Sequence, residues 1–309
     1  MTSGSLRIAE TSETIRDALR IGITLGDPAG IGPEIVRSAL ESGKLASDID
    51  YKVIGQVGPA VVGAPSPDSA RGALAAMEEA ALLANSGEID AVVTGPIHKA
   101  RMADIGFKFP GQTEFFAVRS GTANYAMLLT GGTITIALVT THVPLRDVPA
   151  SLKTSEIVRV GRLLDDFLRR RGKTAPRIAV AGLNPHAGES GKIGREEIEI
   201  IAPALRELQS AIGDQPSAIF EGPISPDTLF FHLANEKWDA ALCLYHDQGL
   251  IPLKLHAFHS GVNVTLGLPF PRTSPDHGTA FDIAGKGIAR PDSMIAAINL
   301  AAELAQKQT

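Results

Sequence analysis

The sequence predicts an α/β fold, because short apolar segments rich in β-branched residues alternate with longer segments of helical periodicity. The predicted strands cover residues 21–25, 51–54, 91–94, 133–140, 177–181, 240–244 and 262–266. Most of these segments are apolar throughout, which is typical of parallel strands that are buried on both faces. Apolar residues spaced three and four apart predict helices at residues 31–40, 68–84, 154–171, 195–209 and 226–235.

The chain length predicts more than one folding unit. The chain has 309 residues, and single hydrophobic cores stop growing beyond about 250–300 residues. No repeat, low-complexity tract or flexible linker divides the sequence, so we expect two α/β lobes that interleave along residues 21–309. Residues 1–20 are polar and carry no recognisable motif, so we expect them to form an N-terminal extension.

The composition excludes several classes of protein. Hydrophobic residues make up 44% of the chain and charged residues 20%, which indicates a globular rather than a disordered protein. The net charge of -5 leaves no basic surplus for nucleic-acid binding. No segment is a signal peptide or reaches the roughly 18 apolar residues of a membrane span, so we expect a cytoplasmic protein without a membrane partner. The lone cysteine, Cys243, lies in an apolar run and is expected to be a buried hydrophobic residue.

Unusual polar motifs follow five of the predicted strands. In open α/β sheets, ligands bind at the carboxyl ends of the strands, so these loops are the candidate functional segments. They read GDPAGIGPE, TGPIHK, TTHVPLRD, GLNPHAGESG and YHDQG. The first motif is a weak anion-binding signal at a helix start, and it is not a G-x-x-x-x-G-K-S/T phosphate loop. No G-x-G-x-x-G follows an early strand, so a dinucleotide site would be built without a Rossmann unit.

His142, His186 and His246 each stand in such a loop and are candidate metal ligands. Three imidazoles with one open position form a catalytic rather than a structural divalent site. Their spacing fits no local metal motif, and three separate loop histidines that cap turns are the alternative interpretation. Asp247 follows one candidate ligand and is a candidate to orient an imidazole, bind metal through water or transfer a proton, or else to cap a helix.

Three residues downstream are candidate anchors for an anionic substrate: Lys254, Asn263 and Arg272. An arginine grips a phosphate or carboxylate through two parallel hydrogen bonds, whereas each of these residues alone is more often a surface residue.

From residue 21 to the C-terminus the chain resembles the 4-hydroxythreonine-4-phosphate dehydrogenase family of vitamin B6 biosynthesis. The resemblance rests on motifs that occur in the family's order: ITLGDPAGIGPE, VTGPIHKA, FPGQTEFFA, TTHVPLRD, GLNPHAGESG, YHDQGLIPLK and GVNVTLGLPFPRTSPDHGTAFDIAGKG. It implies that His142, His186 and His246 bind a divalent metal, with zinc favoured over magnesium or cobalt. It also implies that Thr113, Lys254, Asn263 and Arg272 contact the substrate.

The resemblance further implies the two-lobed fold of the isocitrate and isopropylmalate dehydrogenases, which bind NAD or NADP without a Rossmann domain. The active site is then expected in the cleft between the lobes, near the interface of a homodimer. The segment from His277 to Lys286 is similar to the adenosine-binding loop of isopropylmalate dehydrogenase. Its candidate cofactor-binding residues are His277, Gly278, Thr279, Ala280 and Asp282.

The expected activity is metal-dependent, NAD-linked oxidation, with decarboxylation, of 4-phosphohydroxy-L-threonine. Asp247 and Lys254 are the candidates for proton handling. Two departures leave related substrates open: the candidate substrate-binding residue Gln112 stands where the family usually has a histidine that contacts the substrate, and residues 54–68 are shorter than usual. The alternatives are 4-phosphothreonate, phosphoerythronate or an aromatic dihydrodiol as substrate, and, in other classes, a three-histidine hydrolase or a metal-binding protein without enzymatic activity.

Overall fold

A mixed sheet forms the centre of the protein in the computed structural model, which describes residues 18–58, 60–210 and 218–306. Within these residues the strands are β1 (Leu19–Thr24), β2 (Ile49–Ile54), β3 (Ala91–Thr94), β4 (Ala126–Gly131), β5 (Ile134–Leu138), β6 (Arg177–Ala181), β7 (Ile219–Ile224), β8 (Ala240–Cys243), β9 (Val262–Leu266) and β10 (Arg272–Pro275). The α/β class and the predicted strands are confirmed, whereas β4, β7 and β10 were not predicted. Two residues of the predicted extension, Leu19 and Arg20, belong to β1, and residues 1–17 lie outside the described part.

The strand order is β2-β1-β3-β10-β9-β4-β5-β8-β6-β7. The pairs from β2 to β10 are parallel, and so are the pairs from β5 to β7. Between these two parallel blocks, β9 runs antiparallel to both β10 and β4, and β4 runs antiparallel to β5. One continuous sheet therefore joins the two blocks, and the division into two lobes stays a prediction.

Helices cover the sheet. They are α1 (Gly32–Leu40), α2 (Pro67–Asn85), α3 (Lys99–Asp104), α4 (Gln112–Arg119), α5 (Val148–Ser151), α6 (Thr154–Arg170), α7 (Ala202–Gln209), α8 (Pro226–Ala234), α9 (His246–Ala257) and α10 (Asp292–Gln306). The predicted helices are confirmed, although the segment at 195–209 starts with a π-helical turn, Glu197–Ile201, before α7. Among the described residues, no helix has the length and apolar character that a membrane crossing requires.

Apolar side chains of the helices form the cores that fix the site. α1, α6, α7 and α10 contribute to the largest core, α2 and α4 to a second one, and α8 and α9 to a third. Phe115 and Phe116 of α4 are fully buried in the second core. Burying a phenylalanine side chain contributes about 1.5–3 kcal/mol, so this anchor holds the start of α4, with Gln112 and Thr113, in a fixed position.

Candidate active site

An open cavity of about 1120 Å³ lies between the start of α4, the start of α9 and strands β9 and β10. Most of the predicted site residues line it: Gln112, Thr113, His142, His246, Lys254, Asn263, Arg272, His277 and Gly278. The fold therefore brings together residues that are up to 166 positions apart in the sequence, from Gln112 to Gly278. A large cavity with several convergent polar groups is the first place to look for a binding site.

Arg272 is the strongest anion anchor in this cavity. The residue is only 2% exposed, and no carboxylate of the described residues lies within ion-pair distance of it. Burial lowers the pKa of Arg272 to about 9, an effect that the charge of Glu114 opposes, so the guanidinium stays charged at neutral pH. A buried charge without a counter-ion is unfavourable. A bound anion would compensate it.

Arg272 is held by neutral side chains. Nη1 donates to Thr265 Oγ1 over 3.3 Å, and Nη2 donates to Gln112 Oε1 over 3.1 Å and to Thr94 Oγ1. The guanidinium carbon also lies 5.6 Å from the ring centroid of Phe116. These contacts fix the direction of the guanidinium without neutralising its charge.

Gln112 uses both ends of its amide group. Its oxygen accepts from Arg272, and its Nε2 donates to the backbone oxygen of Gly95 over 3.1 Å. Gln112 thus links Arg272 to the loop after β3. Beside it, the buried Thr113 accepts a hydrogen bond from Thr265 over 3.4 Å. Asn263 Oδ1 and Arg272 Nε are buried without hydrogen-bond partners among the described residues. At this end of the cavity one acceptor and one donor are therefore available to a ligand.

Lys254 and Asp276 form an ion pair at the cavity wall. Lys254 Nζ lies 2.8 Å from Asp276 Oδ2 and donates to the backbone oxygen of Asp276 over 3.1 Å. The lysine side chain is 37% exposed, so its ammonium group is accessible from the cavity. Asp276 directly precedes His277, and the pair therefore connects α9 to the predicted cofactor loop.

His142 and His246 lie side by side, with ring centroids 5.7 Å apart. His246 Nδ1 lies 2.7 Å from Asp247 Oδ1. Of the predicted roles of Asp247, orientation of an imidazole agrees with this contact, whereas the helix cap does not, because the N-cap of α9 is Tyr245. Burial, followed by the charges of Lys99 and His246, lowers the pKa of His142, which favours the neutral imidazole that metals bind.

This histidine pair fits a divalent metal. Two imidazoles that share a tetrahedral metal have ring centroids roughly 5 Å apart, because metal–nitrogen distances are about 2.0–2.1 Å. A second opening of about 560 Å³, lined by Thr141, Tyr245 and Asp247 among others, lies against the same two histidines. Among the described residues, however, no group of three His, Cys, Asp or Glu side chains could hold a metal.

His186, the third predicted ligand, is exposed and lines neither opening. It begins a run of five residues in the left-handed region, with φ between 43° and 78° from His186 to Ser190. This conformation costs roughly 1–2 kcal/mol for each residue other than glycine. The strands β5, β8 and β6 that precede the three histidines are neighbours, but within one chain the described residues do not bring the three histidines into one group.

The predicted cofactor loop begins at the cavity and continues over the GDPAGIGPE motif. His277 and Gly278 line the cavity, Thr279 is buried, and Asp282 is exposed. The backbone oxygen of Thr279 accepts from Ile31 N over 2.9 Å.

The GDPAGIGPE motif also supports the end of the loop and the segment after β3. Glu34 accepts from Gly285 N over 2.9 Å and from Ala289 N over 3.3 Å. Gly26 has a φ of +71°, and a Cβ there would collide with the backbone oxygen of Pro96. The motif therefore supports the loop rather than lining the cavity itself.

Three further charged residues at the cavity were not predicted: Lys99, Glu114 and Asp276. Each lies within or beside a quoted motif, namely TGPIHK, the Gly-Gln-Thr-Glu segment and SPDHG. Their positions after a strand or at the start of a helix could have indicated a role in the site. Charged residues at the surface occupy such positions as well, so the sequence alone does not distinguish the two.

Comparison with solved structures defines the class of the fold. A β-decarboxylating dehydrogenase from Thermococcus kodakarensis superposes with a TM-score of 0.53 at 19% identity, covering 94% of this chain and 83% of that one. The protein therefore has the predicted fold of the isocitrate and isopropylmalate dehydrogenases.

Closer comparisons show the family. The family model described as pyridoxal phosphate biosynthetic protein PdxA matches residues 20–301, and the chain belongs to this family. A 4-hydroxythreonine-4-phosphate dehydrogenase from Caulobacter vibrioides is 43% identical, covering 93% of this chain and 98% of that protein. The crystal structure of a 4-hydroxythreonine-4-phosphate dehydrogenase from Klebsiella pneumoniae is 36% identical with a TM-score of 0.78, covering 94% of this chain and all of that one.

Proposed function

We propose that the protein is a metal-dependent, NAD-linked dehydrogenase that oxidises and decarboxylates 4-phosphohydroxy-L-threonine in vitamin B6 biosynthesis. The observation that carries the proposal is the uncompensated charge of Arg272, which lies in one cavity with a histidine pair and an accessible lysine. The names of the relatives supply the substrate. A cytoplasmic location is part of the proposal and agrees with the single, buried Cys243.

The substrate phosphate would be the missing counter-ion of Arg272. A charge-assisted pair with a guanidinium is roughly twice as strong as a neutral hydrogen bond, and the contacts with Gln112 and Thr265 pre-orient the guanidinium. Thr113 and Asn263 would orient the rest of the substrate from the same wall. This arrangement favours a substrate that carries a phosphate or carboxylate group over an uncharged one.

Lys254 would accept the proton of the reacting hydroxyl group as a neutral amine, after its ammonium has given a proton to water. The carboxylate of Asp276 holds the ammonium at the cavity wall, so its position is fixed before the substrate binds. Asp247 would orient His246 rather than contact the substrate, because Asp247 lines only the smaller opening. Among the two predicted proton carriers, the structure therefore favours Lys254.

His142, His246 and His186 would hold the metal, and the segment from His277 to Asp282 would bind NAD. When bound, the metal supplies Lewis acidity that lowers the pKa of a hydroxyl group and stabilises an enolate during decarboxylation, and NAD accepts a hydride. The exposed carboxylate of Asp282 is suited to accept hydrogen bonds from ribose hydroxyl groups. Zinc is favoured by the all-imidazole ligand set.

The proposal includes a homodimer in which His186 of one subunit completes the metal site of the other. The separation of His186 from the histidine pair within one chain supports this arrangement. Helix α9 and its C-cap residue also expose an apolar stripe: Ile251, Leu255 and the C-cap Phe258 are 66%, 89% and 69% exposed at helical spacing. Such a stripe beside the site is suited to an interface between subunits.

The activity is tested by absorbance at 340 nm with NAD, 4-phosphohydroxythreonine and zinc, before and after chelation. Reduction of NAD that stops on chelation and returns with metal is the expected result. Metal-dependent release of phosphate without reduction of NAD would instead indicate a hydrolase, and metal binding with neither reaction would indicate a non-enzymatic protein. A panel with 4-phosphothreonate and phosphoerythronate identifies a related substrate by a higher kcat/KM.

We predict that two inactive variants, His142→Ala and His186→Ala, regain activity when their subunits are mixed. Each variant alone should lose bound zinc and turnover with an unchanged circular dichroism spectrum. Random reassociation of subunits gives half heterodimers, each with one intact site, so about a quarter of the wild-type activity is expected. The matched control mixes His142→Ala with His246→Ala, which damage the same pair and should regain nothing. No recovery in the first mixture would show that His186 binds the metal of its own chain.

We predict that Gln112→His changes the KM for 4-phosphohydroxythreonine by less than about tenfold, or about 1.4 kcal/mol. A neutral histidine can accept the hydrogen bond of Arg272 or donate to Gly95, so one of the two contacts of Gln112 remains. Steady-state kinetics give the KM. A gain in kcat/KM far above tenfold would instead indicate that Gln112 is adapted to a different native substrate.

A further inference from the structure

The turn that carries His186 is strained and therefore needs restraints. His186, Ala187, Glu189 and Ser190 all have positive φ, as has Gly188 between them. Residues in sparsely populated backbone regions persist only when the surrounding structure holds them there, and they concentrate at functional sites. The contacts that hold this turn are thus candidates for a functional role.

The carboxylate of Glu197 is the main restraint. It accepts from the backbone N–H groups of Leu183 and Asn184 over 2.8 and 2.7 Å, and from Asn184 Nδ2 over 2.9 Å. These three donors lie directly before the turn. Glu197 therefore fixes the direction in which the chain enters it.

Glu197 also packs against the turn itself, at Gly188. A Cβ at Gly188 would lie 2.7 Å from Glu197 Oε2, so the carboxylate packs against a glycine that has a φ of +78°. The side chain of Glu197 is buried, at 4% exposure, and no cation among the described residues lies within ion-pair distance of it. A buried carboxylate satisfied by N–H donors alone is an unusual arrangement to keep for packing, because an apolar residue would avoid its desolvation.

The backbone at Glu197 is irregular too. Glu197 is the first residue of the π-helical turn that precedes α7, and π-helical turns are rare and frequent at functional sites. The neighbouring Glu196 makes a different set of contacts: it accepts from Asn184 Nδ2 and from Arg195 N, and it does not bond the backbone of the turn.

We infer that Glu197 is the positioning residue for His186: its carboxylate holds the left-handed turn so that the imidazole enters the metal site of a second subunit. This inference deepens the proposed function and rests on its exchange of His186 between subunits. Groups that orient metal ligands typically change metal affinity by 10–100-fold when they are substituted.

The test compares Glu197→Gln with Glu196→Gln, which removes one carboxylate charge from the adjacent residue. In Glu197→Gln an amide N–H group faces N–H donors, so the amides of Leu183 and Asn184 should exchange hydrogen at least about tenfold faster in the metal-free protein. Zinc affinity measured with a chelating indicator should fall about tenfold or more. Glu196→Gln should leave both quantities close to those of the wild type.

Subunit mixing separates positioning from a general loss of structure. Glu197→Gln mixed with His142→Ala should recover activity to about a quarter of the wild type, because the second chain supplies an intact turn to the intact histidine pair of the first. Mixed with His186→Ala, it should gain nothing. A purely structural defect in the Glu197→Gln chain would impair its own histidine pair and prevent recovery in both mixtures.

The outcomes distinguish the inference from the function on which it rests. Wild-type zinc affinity and amide exchange in Glu197→Gln would refute the role of Glu197, even if His186→Ala loses zinc. If His186→Ala binds zinc with wild-type affinity, His186 is not a metal ligand. The proposed metal site would then be wrong, independently of the role of Glu197.

Discussion

Arg272→Met is expected to lower kcat/KM for 4-phosphohydroxythreonine about a thousandfold, or about 4 kcal/mol, while leaving the protein as stable as the wild type. The guanidinium is the only buried cation in the described part of the cavity wall, and its loss leaves the phosphate without a charged partner. Methionine fills a similar volume and contacts Phe116 as the guanidinium does. The loss should appear mainly in KM if Arg272 binds substrate and transition state alike.

Stability is the second observable of this substitution. Removal of an uncompensated buried charge offsets the lost hydrogen bonds to Thr265 and Gln112, so the free energy of unfolding should change by no more than about 1 kcal/mol. Thermal unfolding of the ligand-free variant measures it, with the exposed Arg37→Met as a control for the substitution itself. Severe destabilisation would mean that Arg272 is a structural residue, and wild-type kinetics would remove it from the substrate site.

The periodicity of the sequence was sufficient for seven strands of the sheet but not for β4, β7 and β10. The four residues of β10 have no apolar alternation, and β10 pairs with β3 from a segment about 180 residues earlier. A pairing between segments so far apart along the chain leaves no signal in the local sequence, because these four residues carry no hydrophobic pattern that would set a register. For the same reason Arg272 could be predicted as an anion anchor but not as a buried residue at the start of a central strand.

For the site, too, the sequence predicted which residue types take part better than it predicted where they lie. His142 and His246 lie in the loops after β5 and β8, which are neighbouring strands. They lie side by side, as expected for loops at the carboxyl ends of adjacent parallel strands. The same rule predicts that His186 joins them, but the described residues contain no such group of three, and the turn at His186 has five consecutive positive φ values. Composition does not encode such a turn, because only one of the five residues is glycine. Glu197, which holds it, looks in the sequence like a surface residue of an amphipathic helix.

Substitutions of Lys254 are expected to distinguish its role in proton transfer from the effect of its charge. Lys254→Arg keeps the positive charge, but an arginine cannot release a proton near neutral pH. An arginine at this position can still pair with Asp276, so the KM should stay within about threefold of the wild type while kcat falls by about a hundredfold or more. Lys254→Met removes the charge as well, leaves the carboxylate of Asp276 at the cavity without its partner, and should raise KM in addition to lowering kcat by about a thousandfold. Steady-state kinetics of both variants with zinc-saturated protein provide the measurement, and equal zinc content excludes an indirect effect through the histidine pair. If Lys254→Arg turns over at the wild-type rate, Lys254 contributes charge alone and the proton of the hydroxyl group leaves by another route.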